Sequence, residues 1–374
     1  MICSFYNAVK PIFFAVLIVT ITTCSSDNPT APPEPPEPTD LASIQLSCLI
    51  SPTPFKAEGQ WHLVYEIIVK NQGQTSVEIE RVEVFSDNQR LTGYEGTELA
   101  RRTLTESRTL IAGQTNLIFL WITVTENQSP MTLSNKIKVT GTDLPQTIEV
   151  SVDSSEATVI GPPLKGENWL AANISNFSHH RRAAIDFGGT LRIAQRFSID
   201  WVRLTENGQT FTGDPKINAN YDAYGARILA VADGVVVAVR DGMSENIPGE
   251  TPSNVTLDNA GGNWILLNIG NNKFALYAHL IPGSIRVQPG QSVNKGDTMA
   301  FLGNSGNSTE PHLHFHFGET FDTQRNSGLN TKGLPYVFKS FEIQSGRPVL
   351  GKRTLELPLD KAVVRFPELD VDGE

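Results

Sequence analysis

Residues 303–315 read GNSGNSTEPHLHF, a loop of small, turn-forming residues that closes on a strand carrying His312 and His314. Side chains two apart on a strand point to the same face. One imidazole can then hold a metal ion while its neighbour acts on whatever that ion activates. Packing alone gives the same pattern, because a strand of buried, hydrogen-bonded histidines reads identically. The surroundings decide between the two. Six of the chain's seven histidines, at 179, 180, 279, 312, 314 and 316, fall in one segment, and only His62 lies outside it.

That segment is built of short strands and turns. AYGARILAVADGVVVAVRDG (223–242) gives a strand, a turn at Asp233-Gly234 and a second strand. GNWILLNIGNNKFALYAHL (262–280) gives a hairpin across Gly270-Asn271-Asn272. SIRVQPGQSVNKGDTMAFLGNSG (284–306) then leads into the histidine strand. The glycines and asparagines at 303–307 form turns, and their backbone amides can offer donors to a ligand in a groove. Residues 330–374 keep strand-like alternation without a polar cluster and are expected to wrap the core or add a strand.

Residues 224–317 resemble the lysostaphin-type (LytM-like) zinc metallopeptidases of bacterial cell walls. The matching pieces stand in family order: AVADGVV, the strand ending LYAHL, VQPGQSVNKGD and GNSGNSTEPHLHF. The resemblance implies a compact, mostly antiparallel, β-barrel-like sheet with an open groove. It also implies a Zn2+ cofactor and hydrolysis of peptide cross-links in peptidoglycan. A catalytic zinc needs three protein ligands and a position for water, whose pKa it lowers toward about 7. By resemblance His314 is a zinc ligand, His312 contacts the water or the developing oxyanion, and His279 is the second catalytic histidine. His316 is expected behind these or at the surface.

The family's other two ligands come from an H-x-x-x-D motif. Here the candidates are Arg182 to Asp186 and Arg196 to Asp200, both with arginine in the histidine position. QRFSIDW is the better match, so Asp200 is the expected second ligand. Arginine stays protonated and offers no lone pair, which marks the chain as a variant of the family. The missing histidine is sought at His179-His180. A strand through these residues, turning at Gly188-Gly189, would place Phe177 opposite Asp200 and His179 opposite Ser198. A loop one residue longer would bring His180 to that face instead. Resemblance to a variant branch points to His180, the histidine nearer the arginines, with His179 as the alternative.

The rest of the chain sets the context. Residues 1–24 read as an export signal: Lys10 precedes an apolar run too short to span a bilayer, which needs about 20 residues. Ile21-Thr22-Thr23-Cys24 resembles a bacterial lipobox, with Cys24 as the lipidated residue. Residues 25–40, including NPTAPPEPPEPTD, form a proline-rich acidic tether that stays extended. Residues 41–155 alternate as strands, as in HLVYEIIVK and VEIERVEVF, and predict an immunoglobulin-like β-sandwich accessory domain without helices. Cys48, in SIQLSCLI, is expected to be a buried packing residue. The peptidase domain is expected over 160–374, with its core at 180–320. The formal net charge of −10, without a basic stripe, argues against nucleic acid as a partner. These features imply a cell-envelope protein held to a membrane only by its N-terminal lipid. The absence of aspartate after Cys24 favours the outer membrane, facing the periplasm.

Three readings compete. One is an active zinc endopeptidase. Another is a catalytically inactive relative that binds the cell wall or regulates an amidase. A third is a purely adhesive pair of β modules. The joint presence of His279, His312, His314 and Asp200 favours the first, and the arginines favour the second.

Overall fold

Leu63, Tyr65, Ile67 and Val69 recur at every second position, and all four side chains are buried in one core. That period of two builds the first module. The computed structural model describes residues 43–125, 131–319, 331–347 and 350–367. The expected signal, Cys24 and the tether lie outside the described residues. The module starts with β1 (Ile44–Cys48), β2 (Phe55–Ala57) and β3 (Gln60–Asn71). Next come β4 (Val77–Ser86), β5 (Gln89–Glu95), a helix α1 (Gly96–Arg101) and β6 (Thr109–Leu110). It ends with β7 (Thr115–Val124), β8 (Thr132–Val139) and β9 (Gln146–Ser151). β1, β3, β2 and β7 make one antiparallel sheet, and β5, β4, β8, β9 and β6 the other. The helix α1 was not expected, because six residues are too few to show a helical period. Leu99 is its only buried residue. Cys48 is half-buried, and its thiol donates to the Ile50 carbonyl at 2.8 Å.

The second module holds β10 (Thr158–Ile160), β11 (Gly166–Ala172), α2 (His179–Arg182), β12 (Ile185–Asp186), β13 (Leu191–Arg192) and β14 (Ile199–Arg203). β15 (Arg227–Leu229), β16 (Gly234–Arg240), β17 (Trp264–Asn268) and β18 (Lys273–Ala278) follow. Then come β19 (Ser292–Val293), β20 (Thr298–Phe301), β21 (Leu313–Glu319) and β22 (Lys332–Gly333). β23 (Tyr336–Ser345), β24 (Gly351–Glu356) and β25 (Val363–Phe366) complete it. The main sheet runs β10-β23-β25-β11-β14-β21-β18-β17-β16-β19. Its pairs are antiparallel except β10 with β23. The path has two ends, so the barrel-like expectation resolves into an open sheet. The alternation after residue 330 adds strands to that sheet.

β21 sits between β14 and β18 and is covered on both faces. Leu313, Phe315 and Phe317 enter the large core beside Trp201, Tyr277 and Tyr336. Truncating such an aromatic costs about 3–5 kcal/mol. The alternate residues, His314 and His316, are left to the opposite face, where both are also buried.

The strand expected through His179-His180 is instead the single helical turn α2, capped by Ser178, whose side chain accepts from Arg181 N at 3.3 Å. The hairpin at Gly188-Gly189 does form, pairing Ile185 with Arg192 and Asp186 with Leu191. Its register stops there, and Asp200 pairs with Ala172 and His314. A strand would put His179 and Arg181 on one face, and His180 and Arg182 on the other. A helical turn advances about 100° per residue and separates the histidine pair from the arginine pair.

The modules share buried surface. Phe55, Ala57 and Val64 of the first lie in the same core as Trp169, Phe197 and Trp201 of the second. Leu117 and Phe119 pack with Ile193.

Candidate metal centre and catalytic histidines

Asp200 and His314 stand opposite each other on β14 and β21. Opposed residues of an antiparallel ladder hold their Cβ atoms about 4.5–5.5 Å apart. The ladder thus joins two polar side chains 114 positions apart in sequence. His314 Nδ1 lies 2.8 Å from Asp200 Oδ1. The second carboxylate oxygen, Oδ2, accepts from Asn173 Nδ2 at 2.8 Å and lies 3.3 Å from His180 Nε2. The His180 ring stands edge-on to His314, with centroids 4.7 Å apart. His179 also arrives: donor atoms of His179, His180 and Asp200 lie within 4.8 Å of one another. The two candidate histidines differ in setting, His180 being buried and His179 exposed.

His312, just before β21, turns its Nε2 to within 3.6 Å of Asp200 Oδ1. Its Nδ1 faces the Glu310 carbonyl at 2.9 Å and Ser308 Oγ at 3.2 Å. His279 follows β18 and has φ +67. Strict alternation after Tyr277 and Ala278 would send its side chain to the core. The left-handed backbone breaks that alternation, and the ring lies tilted against that of His312, with centroids 4.6 Å apart. Non-glycine residues held in this conformation concentrate at functional sites. His279 Nδ1 meets the Ser305 carbonyl at 2.7 Å. A carbonyl only accepts, so Nδ1 carries a proton in both rings, and each ring in its neutral form presents a bare Nε2. The glycine- and asparagine-rich loop therefore contributes an acceptor, Ser305 O, to His279.

His316 lies behind His314, with its Nδ1 3.1 Å from His314 Nε2. Asp186, the other motif aspartate, is exposed and caps its own turn by accepting from Gly189 N at 2.6 Å. Both motif arginines are engaged elsewhere. Arg196 holds Glu66 of β3, and Arg182 donates to the Thr103 carbonyl at 2.6 Å. Sequence reasoning missed Asn173, Ser305 and Glu66. Only Ser305 had a signal, its place in the turn-forming loop.

Burial alone would raise the Asp200 carboxyl, but His180, His312 and hydrogen-bonded His314 outweigh it and hold the group well below the ordinary carboxylate range. Burial pushes His180 and His279 well below the ordinary 6.5 of histidine. At neutral pH Asp200 is thus a carboxylate and the buried imidazoles of His180 and His279 are neutral, the protonation states that metal ligands require. A carboxylate oxygen and imidazole nitrogens form a donor set that suits zinc.

The family model for "Peptidase family M23" matches residues 217–326. The match spans His279, His312 and His314 and leaves His180 and Asp200 upstream. Among curated proteins, an uncharacterized metalloprotease of Haemophilus influenzae is 33% identical over 90 residues, covering 24% of this chain and 17% of that protein. The peptidoglycan DD-endopeptidase ShyA of Vibrio cholerae is 33% identical over 91 residues, with the same coverage of 24% and 17%. The match therefore spans about a sixth of the length of these relatives. Among solved structures, the catalytic domain of lysostaphin from Staphylococcus simulans aligns at 18% identity and a TM-score of 0.21, covering 45% of this chain and 86% of that one.

Proposed function

We propose, from the premise that this chain carries a peptidase family M23 domain of the lysostaphin type, that it is a zinc metalloendopeptidase acting on peptide cross-links of peptidoglycan in the cell envelope. The observation that carries the reading is Asp200, whose two carboxylate oxygens are approached separately by His314 Nδ1 and His180 Nε2. His180, Asp200 and His314 would hold the ion. The alternative triad replaces His314 with His179. His314 is preferred because it is buried and fixed on a central strand, whereas His179 is exposed on a four-residue turn.

The bound ion would supply a Lewis acid that activates water and polarises the scissile carbonyl. The chain's own groups do the rest. His279 and His312 turn their bare Nε2 atoms into the space beside Asp200, where either can take a proton from the attacking water. Once protonated, the same nitrogen can donate to the developing oxyanion or to the leaving amine. The Ser305 and Glu310 carbonyls fix the two rings from behind and keep each tautomer in place. The substrate class is supported by the domain's family and by the similarity to the peptidoglycan DD-endopeptidase ShyA. The arginines at the motif positions do not weaken the reading, because the Arg196 fork and Arg182 serve the joint between modules.

The test separates holding from catalysis. The protein purified without chelator should contain close to one zinc per chain. His312→Ala should abolish release of peptide fragments from purified peptidoglycan while zinc stays bound. His314→Ala should lose both zinc and activity. Equal zinc loss in the two variants would overturn the assignment of roles, and a zinc-free parent would overturn the enzyme reading.

A further inference from the structure

We propose that the N-terminal β-sandwich is a working part of the metal site, with Glu66 as a positioning residue that holds His180 in place through Arg181. This deepens the function proposed above and rests on the reading of His180 as a ligand.

Glu66 lies on β3 with its side chain on the outer face of the sandwich, yet it is fully buried. A buried carboxylate is costly unless paired and hydrogen-bonded. Two arginines of the second module meet it. Arg196 grips it as a fork, Nε to Oε1 at 3.0 Å and Nη2 to Oε2 at 2.9 Å. Arg181 places Nη1 on Oε1 and donates from Nη2 to the carbonyls of Tyr65 at 3.0 Å and Leu120 at 3.3 Å. Arg182 reaches the sandwich too, through the Thr103 and Arg101 carbonyls and the Phe119 ring, 4.5 Å away.

The helical turn α2 therefore has two ends of function. His179 and His180 face Asp200, while Arg181 and Arg182 are bolted to the sandwich. A turn of four residues has almost no stability of its own. Its position is set by what its side chains grip, and the grip adjacent to His180 ends on Glu66 and the β3 and β7 backbone. Asp200 and His314 need no such help, since the ladders to β11, β14 and β18 fix them. Among the three expected ligands, His180 alone depends on the first module. The two arginines on Glu66 then differ in consequence. Losing Arg196 loosens the joint but leaves Glu66 paired with Arg181. Losing Arg181 loosens the turn at the residue next to the ligand and leaves only Arg182 to tie it to the sandwich.

The experiment measures zinc affinity of the full chain by competition with a chromogenic chelator, with thermal melting to show that each variant is folded at the assay temperature. Arg181→Met and Glu66→Gln should each weaken zinc binding by about 10–100-fold, the usual effect of losing a group that orients a ligand. Arg196→Met should keep the parent's affinity, although it removes an equally buried arginine from the same carboxylate. Arg181→Lys, which keeps a charge against Glu66, should recover part of the loss. Glu66→Gln added to Arg181→Met should cost nothing further in affinity. If Glu66→Gln fails to fold, the comparison of Arg181→Met with Arg196→Met decides. A parent that binds no zinc overturns the ligand reading and this inference with it. A parent that binds, with Arg181→Met binding equally well or Arg196→Met losing as much, overturns this inference alone.

Discussion

His314 and His316 leave β21 on the same side, and metal binding through His314 Nδ1 would decide where the proton between their rings sits. For His314 Nδ1 to offer a lone pair, its ring proton must sit on Nε2. A buried N–H needs an acceptor, and His316 Nδ1 stands there at 3.1 Å. His316 in turn must carry its own proton on Nε2. An imidazole thus takes the place behind a ligand that a carboxylate or carbonyl usually fills. His316→Ala should weaken zinc binding by about 10–100-fold without removing a ligand. His316→Gln, whose side-chain oxygen can accept the same proton, should recover part of it. Chelator competition reads both, and unchanged affinity in the alanine variant would remove His316 from the site. Alternation along LHFHF made the shared face of these histidines legible in the sequence. Which nitrogen meets which was not, because that depends on rotamers packed between two neighbouring strands. The choice of Asp200 over Asp186 rested on local resemblance. Asp186 spends its carboxylate on a turn amide.

The loop of residues 303–308 touches the segment 260–263 backbone to backbone. At Gly306, with φ +78, an added Cβ would fall 2.3 Å from Gly262 N. At Gly262, with φ +62, it would fall 2.5 Å from the Ser305 carbonyl carbon. Two glycines meet there because no side chain fits. Between them lies Ser305, whose carbonyl orients His279 and whose hydroxyl donates to Leu280 O at 2.8 Å. Gly306→Ala should therefore shift Ser305, cost about 1–3 kcal/mol of stability through backbone strain, and lower the turnover rate. Zinc content should not change, because no proposed ligand sits on this loop. Unfolding curves, metal content and hydrolysis rates check this, and zinc loss in parallel with activity would refute it. The strands flanking the loop were legible, since a period of two survives in short windows. The hairpin at Gly188-Gly189 was legible from its turn residues. The turn α2 was not, because four residues carry no period. Nor was the ladder from β14 to β21, since no local signal reports which distant strand becomes a neighbour.

The described residues form two β modules that share a core, and His62, the one histidine outside the site segment, lies where they join. It belongs to β3 and stacks on Phe55, whose ring meets Phe197 of the second module at 5.5 Å. Two modules were expected from the strand alternation of residues 41–155 and the rise in glycine from about residue 160. Their fusion was not, because Phe55 and Val64 look like ordinary sandwich residues. His62 Nδ1 accepts from Trp121 Nε1 at 3.0 Å, so its proton sits on Nε2, which donates to Ala57 O at 3.1 Å. Protonating the ring would set a second N–H against the indole N–H. Burial, only partly opposed by the Ala57 bond and Glu58, keeps the folded-state pKa below 6.5. In the unfolded chain His62 titrates near 6.5. Between those values the unfolded state binds more protons, so stability from neutral His62 is complete above pH 6.5 and is lost as pH falls toward the lower folded-state value. One proton limits the slope to about 1.4 kcal/mol per pH unit. His62→Phe removes this titration, leaving every other histidine in place. In denaturant unfolding at a series of pH values, the parent's stability should fall relative to that of His62→Phe as pH drops below 6.5. The gap between the two should be constant above neutrality. Parallel curves across the whole range would mean that His62 does not sense pH at the joint.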